Sequence, residues 1–180
     1  MRALPALVCL SILAGCDATP PGAGAACTAE PLVRSSLVAC VTGDLDVEIS
    51  GALAAGGWGD PGVPYDLWAV QTGGSSVSGG ADLYVYLPNG GTLVAGTYPV
   101  QAGPVPPGPF ESRPDTAAIG TGAAVVYTPR PGGGVEVWRV VSGEIVVEVA
   151  EAGGQQSGRF DLVGVEGGRQ IRAQGRFQRL

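Results

Sequence analysis

"SGEIVVEVAEAGGQQSGRFDLVGVEGGRQIRAQGRFQ" runs from Ser142 to Gln178, and its reading decides the fold. Side chains alternate along it. Ile145, Val147 and Val149 face one way, while Glu144 and Glu148 face the other. Further on, Ile171, Ala173, Gly175 and Phe177 share a face opposed by Gln170, Arg172, Gln174, Arg176 and Gln178. A period of two belongs to a β-strand with one face buried. Gly-rich turns separate the segments, so the stretch predicts consecutive antiparallel strands.

Working toward the N-terminus, "AAVVYTP" (123–129) and "GVEVWRVV" (134–141) read as two more strands. In the second, Trp138 shares a face with Glu136 and Val140 and reads as a half-exposed sheet aromatic. "YDLWAVQT" (65–72) and "ADLYVYL" (81–87) read as strands around a Gly/Ser turn. "PNGG" (88–91) contains Asn-Gly, a strong hairpin signal, so "TLVAGTYPV" (92–100) is expected to return beside its predecessor. "DLDVEIS" (44–50) alternates, with Leu45, Val47 and Ile49 opposite Asp44, Asp46 and Glu48. "PLVRSSLVACV" (31–41) fits a helical face and a short strand equally. "GGWGDPGVP" (56–64) reads as a loop. "QAGPVPPGPFESRPD" (101–115) carries five prolines and cannot sit inside a sheet. We read it as an excursion within one domain, because the pieces on either side would each have a thin core.

The expected fold is therefore all-β: an antiparallel β-sandwich or open barrel of roughly 8–10 short strands. Gly (31) and Pro (15) make up about a quarter of the chain, near the level at which disorder competes with folding. The short apolar runs between turn signals argue for a packed sheet.

The N-terminus has a different character. "MRALPALVCLSILAGC" carries Arg2 as its one charge, then an apolar run from Ala3 to Leu13 that is too short to span a bilayer. A short positive region, an apolar core and small residues at its end describe a secretory signal. Its last four residues, Leu13-Ala14-Gly15-Cys16, resemble the lipobox of bacterial lipoproteins. The resemblance implies cleavage before Cys16, a diacylglycerol on its thiol and an acyl chain such as palmitate on its new amino group. Two or three acyl chains hold a membrane far better than one. The expected organisation is a signal peptide over 1–15, a lipidated tether over 16–26 and a single all-β domain over 27–180. "DATPPGAGAA" (17–26) has the composition of a spacer. The motifs Ser142-Gly143, Ser157-Gly158-Arg159-Phe160 and Gly175-Arg176-Phe177 resemble a pattern in uncharacterised bacterial lipoproteins. That resemblance implies a β-sandwich-like domain in the cell envelope and no known activity.

Composition narrows the function. The net charge is −6, and −7 once Arg2 leaves, which gives no electrostatic reason to bind nucleic acid. There is no His and no Lys. Ser-His-Asp and Cys-His catalysis, His-containing zinc sites and Schiff-base chemistry are thereby removed. No catalytic residue, cofactor or metal site is expected, and the chain does not read as an enzyme. Of four cysteines, Cys9 leaves with the signal and Cys16 takes the lipid. Cys27 and Cys40 remain in an oxidising compartment, and a disulfide between them is the natural reading. It would contribute on the order of 3 kcal/mol by closing its loop. Free thiols or an intermolecular bridge are the alternatives.

Two classes of partner stay open beside the membrane held through the lipid. The first is an envelope protein, bound by a structural or interaction domain. The second is a carbohydrate or small ligand, for which Trp58, Tyr65 and Trp68 are the candidate residues, with Asp60 or Asp66 to bond hydroxyls. The carboxylates Asp44, Asp46 and Glu48 read as the solvent face of a strand rather than a glycosidase pair. Acidic faces early in the chain and a basic one at its end predict cross-strand ion pairs.

Overall fold

The computed structural model describes residues 35–59, 64–72, 79–102 and 118–180. The segments expected as signal peptide and tether lie outside these residues. The described chain forms ten strands: β1 (Ser36–Gly43), β2 (Val47–Ala52), β3 (Ala54–Gly59), β4 (Tyr65–Gln71), β5 (Gly80–Pro88), β6 (Gly96–Gln101), β7 (Gly122–Pro129), β8 (Val135–Ala150), β9 (Gln156–Glu166) and β10 (Arg169–Arg179). No helix occurs among the described residues. All ten strands belong to one open sheet, in the order β2-β1-β10-β9-β8-β6-β7-β5-β4-β3. Every pairing is antiparallel except a single parallel contact of Val100 with Gly122. The expected all-β fold, a sandwich or open barrel, is what the chain adopts.

Two bent strands curl this sheet on itself. The first is β2–β3. Leu53 alone separates them, yet β2 pairs with β1 and β3 pairs with β4, at opposite ends of the strand order. Residues 47–59 are thus one strand that joins the two edges of the sheet, and the Leu53 N–H bonds the Ser35 carbonyl at its bend (3.1 Å). The second is β8. It pairs with β9 on one side; on the other its start pairs with β7 and its later part with β6. The change of partner coincides with a register shift between Val140 and Ser142. Gly143 sits there at φ +141°, where a Cβ would lie 2.2 Å from the Asp161 carbonyl oxygen. The Ser142-Gly143 motif is therefore a bulge that bends the strand.

The inner faces meet in one core containing Leu37, Ile49, Leu83, Trp138, Leu162 and Phe177. The two Gly-Arg-Phe motifs interlock within it. Phe160 lies opposite Gly175, and Phe177 lies opposite Gly158. Each glycine leaves room for the ring across from it: a Cβ on Gly158 would meet the Phe177 ring at 2.6 Å, and one on Gly175 the Phe160 ring at 2.6 Å. Strand β5 is buried on both faces. Tyr84 and Tyr86 point away from the main core into a second cluster with Tyr65, Leu67, Ala69 and Ala123.

Four expectations need correction. The segment after Asn89-Gly90 does not return beside β5; it crosses over, and β6 pairs with β8. The Asn-Gly turn forms, but 92–95 carry no ladder. Residues 56–59, expected in a loop, belong to strand β3. Trp138 is not half-exposed but fully buried, because Arg169 covers its ring. The ion pairs join β10 and β9 to acids of β8 and β9: Arg172–Asp161 (2.6 Å), Arg159–Glu148 (2.9 Å) and Arg169–Glu136. β1 stands between β10 and Glu48 on β2, and Asp44 reaches β10 only at the Gln170 backbone N–H, so neither pairs with a β10 arginine. The ambiguous segment ending at Val41 resolves as β1 from Ser36 onward.

Candidate binding edge and pocket

The candidate aromatics do not form one platform. Along β4 side chains alternate, so Tyr65 enters the outer tyrosine cluster and Trp68 the inner core. Both are buried, at 0% and 3% exposure. Tyr65 packs edge-on against Tyr86 at 5.2 Å. Trp58 pairs in register with Leu67, on the strand beside them. Asp60 lies outside the described residues. Stacking on a sugar needs an open ring face, and neither Tyr65 nor Trp68 offers one.

Trp68 has a different role. It stands at one open end of the barrel, 5.9 Å from the Phe177 ring, and its Nε1 donates to Gln156 Oε1 (3.1 Å). Gln156 begins β9 and is only 7% exposed. Around this pair lies a depression of about 350 Å³, lined by Gly57, Asp66, Trp68, Leu87, Leu93 and Gln156, with Glu151 from the β8–β9 turn. Asp66 Oδ2 accepts the Gly90 N–H (2.7 Å), which ties the turn after β5 to β4. Composition gave no hint of Gln156, since a lone glutamine before a strand looks like any polar residue.

The other end of β9 is closed. Trp138 Nε1 donates to the buried Thr128 Oγ1 (2.8 Å). The Arg169 guanidinium lies 4.9 Å above the Trp138 ring and pairs with Glu136. The core thus has a capped end and an open one.

The outer tyrosines form a polar rim. Gln71 Nε2 donates to the Tyr84 hydroxyl (3.0 Å), and the Tyr127 hydroxyl donates to Asp82 Oδ2 (3.1 Å). Burial pushes Tyr84 and Tyr86 up to about 12, and burial with the nearby Asp82 charge raises Tyr127 as well. Asp161 is held below the usual carboxylate range, chiefly by its hydrogen bond from Arg172.

β2 and β3 each pair on one side only among the described residues. Among the described residues, beyond its one contact with β7, β6 pairs only with β8. β2 carries Glu48 and β6 carries Pro99, devices that discourage pairing with another chain. β3, "AAGGWG", has neither charge nor proline. Glu48 is exposed, and Asp44 Oδ2 accepts the Gln170 N–H (2.7 Å). Cys40 is disulfide-bonded; the other three cysteines lie outside the described residues. Among the described residues no group of three or more His, Cys, Asp or Glu could hold a metal ion, and no helix is long and apolar enough to cross a membrane.

No protein-family model, no curated protein and no solved structure matches this chain.

Proposed function

We propose that this chain is a lipid-anchored envelope lipoprotein whose β domain is a non-catalytic interaction module, binding an extended segment of a partner protein along β3. The observation that carries the reading is the unprotected edge at Ala54–Gly59. Its second side has no strand among the described residues, and it lacks the charge or proline that blunts β2 and β6. Adding a strand to such an edge satisfies a row of backbone donors and acceptors at once. Among the described residues a Cβ at Gly57 would meet nothing closer than the Leu67 carbonyl oxygen at 3.8 Å, which leaves room on this surface for a partner side chain. Cys16 supplies the lipid, residues 17–26 the tether, and Cys27 the disulfide partner of Cys40. The pocket around Gln156 favours a second reading, a small-ligand module.

A photo-cross-linking residue at position 57, in the full chain in its own cells, tests the edge. We expect a discrete protein adduct that disappears in Ala54→Lys, whose charge guards the edge. An adduct that persists in Ala54→Lys, or that forms equally from position 48 on β2, contradicts the reading. Cys16→Ser should abolish palmitate labelling; retained labelling contradicts the anchor.

A further inference from the structure

We propose that the pocket beside Gly57 recognises a neutral carboxamide, such as the side chain of a glutamine or asparagine. Gln156 sets the chemistry of this pocket. An indole N–H is a donor only, so the atom of Gln156 that faces Trp68 is its oxygen. The amide nitrogen is then turned away with two N–H donors, in a residue that is only 7% exposed. No acceptor among the described residues takes them. Buried donors left unpaired are costly, so this one asks for an oxygen from an incoming group.

The same pocket presents two carboxylates, Asp66 and Glu151. Asp66 spends one oxygen on Gly90 N–H and keeps the other. Carboxylates accept and do not donate, so they ask for a donor. A ligand carboxylate would meet their repulsion. An alkyl group would leave the Gln156 donors unpaired. An ammonium would suit Asp66 and Glu151 but oppose the Gln156 N–H groups. A carboxamide carries an acceptor and two donors on one uncharged plane, and Leu87 and Leu93 offer apolar contact for its stem.

The assignment of this group to a peptide rests on the β3 reading. Gly57 pairs with Trp68 and lines the pocket, so the residue lying opposite Gly57 on an added strand would project toward the same face. The pocket chemistry stands without it.

The test is an NMR titration of the full mature chain in detergent micelles with N-acetyl-glutamine N-methylamide. The glutamate and leucine analogues serve as contrasts. We expect the Gln156 side-chain amide resonances to shift, with affinity for the glutamine probe at least tenfold above either contrast. The preference should vanish in Gln156→Leu and weaken several-fold in Asp66→Asn, which keeps the Trp68–Gln156 bond; the Trp68 indole N–H resonance reports that the fold is intact. Equal affinity for the leucine or glutamate probe, or no shift up to millimolar concentrations, overturns the proposal. A capped residue is too short to add a strand, so this failure is separate from failure of the β3 reading, which leaves glutamine-probe binding intact.

Discussion

At the scale of single residues, two tryptophans define the two ends of the core. Each indole N–H is satisfied by one buried side-chain oxygen, Gln156 Oε1 or Thr128 Oγ1. Thr128→Val keeps the shape and removes the acceptor, leaving the Trp138 N–H unpaired in a fully buried site. We expect a loss of about 1–3 kcal/mol in urea unfolding; a change within error would mean that the hydrogen bond contributes nothing. The tyrosines make stability depend on high pH. A tyrosine whose folded pKa is raised stabilises the fold fully below its unfolded value, 10.0, and loses that contribution as pH rises toward about 12. Stability should therefore fall above pH 10, and absorbance at 295 nm should show Tyr84 and Tyr86 ionising late or together with unfolding. Tyr84→Phe should flatten that fall. Little of this was legible beforehand. Alternation puts Trp138 on the correct face of its strand. It says nothing of Arg169, whose guanidinium arrives from a different strand and removes the ring from solvent.

At the scale of elements, alternation in β8, β9 and β10 is readable in one dimension because each strand has one wet face and one dry one. The Gly-x-Phe repeats also become intelligible: in register, each glycine is the space for the other strand's ring. Alanine ordinarily suits a strand better than glycine. Here Gly158→Ala drives a methyl to 2.1 Å from the Val146 carbonyl oxygen and into Phe177. Overpacking of this kind costs roughly 1–3 kcal/mol. A melting temperature at or above wild type for Gly158→Ala would contradict the interlock. Strand β3 was illegible because nothing local makes it a strand. Its small residues have weak β preference, and only the distant β4 ladder fixes them. The crossing of β6 was illegible for the same reason: Asn-Gly specifies a turn, but the partner of the next strand is chosen by a bulge in β8, some fifty residues further on.

At the scale of the whole molecule, three features come together: a tether expected at the N-terminus, a barrel-like sheet capped at one end, and, beside the open end, an edge at β3 with no neighbouring strand among the described residues. The net charge of −6 points away from nucleic acid, and the absence of His and Lys removes the commonest catalytic bases. A β3 edge uncovered among the described residues, beside β2 with its Glu48 and β6 with its Pro99, is the arrangement that the proposed strand pairing would use. The most direct test is amide hydrogen exchange across Ala54–Gly59, measured on the full chain in extracted envelopes and again after purification to homogeneity. We expect these amides to exchange at least tenfold more slowly in the envelope, while β9 and β10 are unchanged. Equal exchange of β3 in both preparations would contradict the β3 reading.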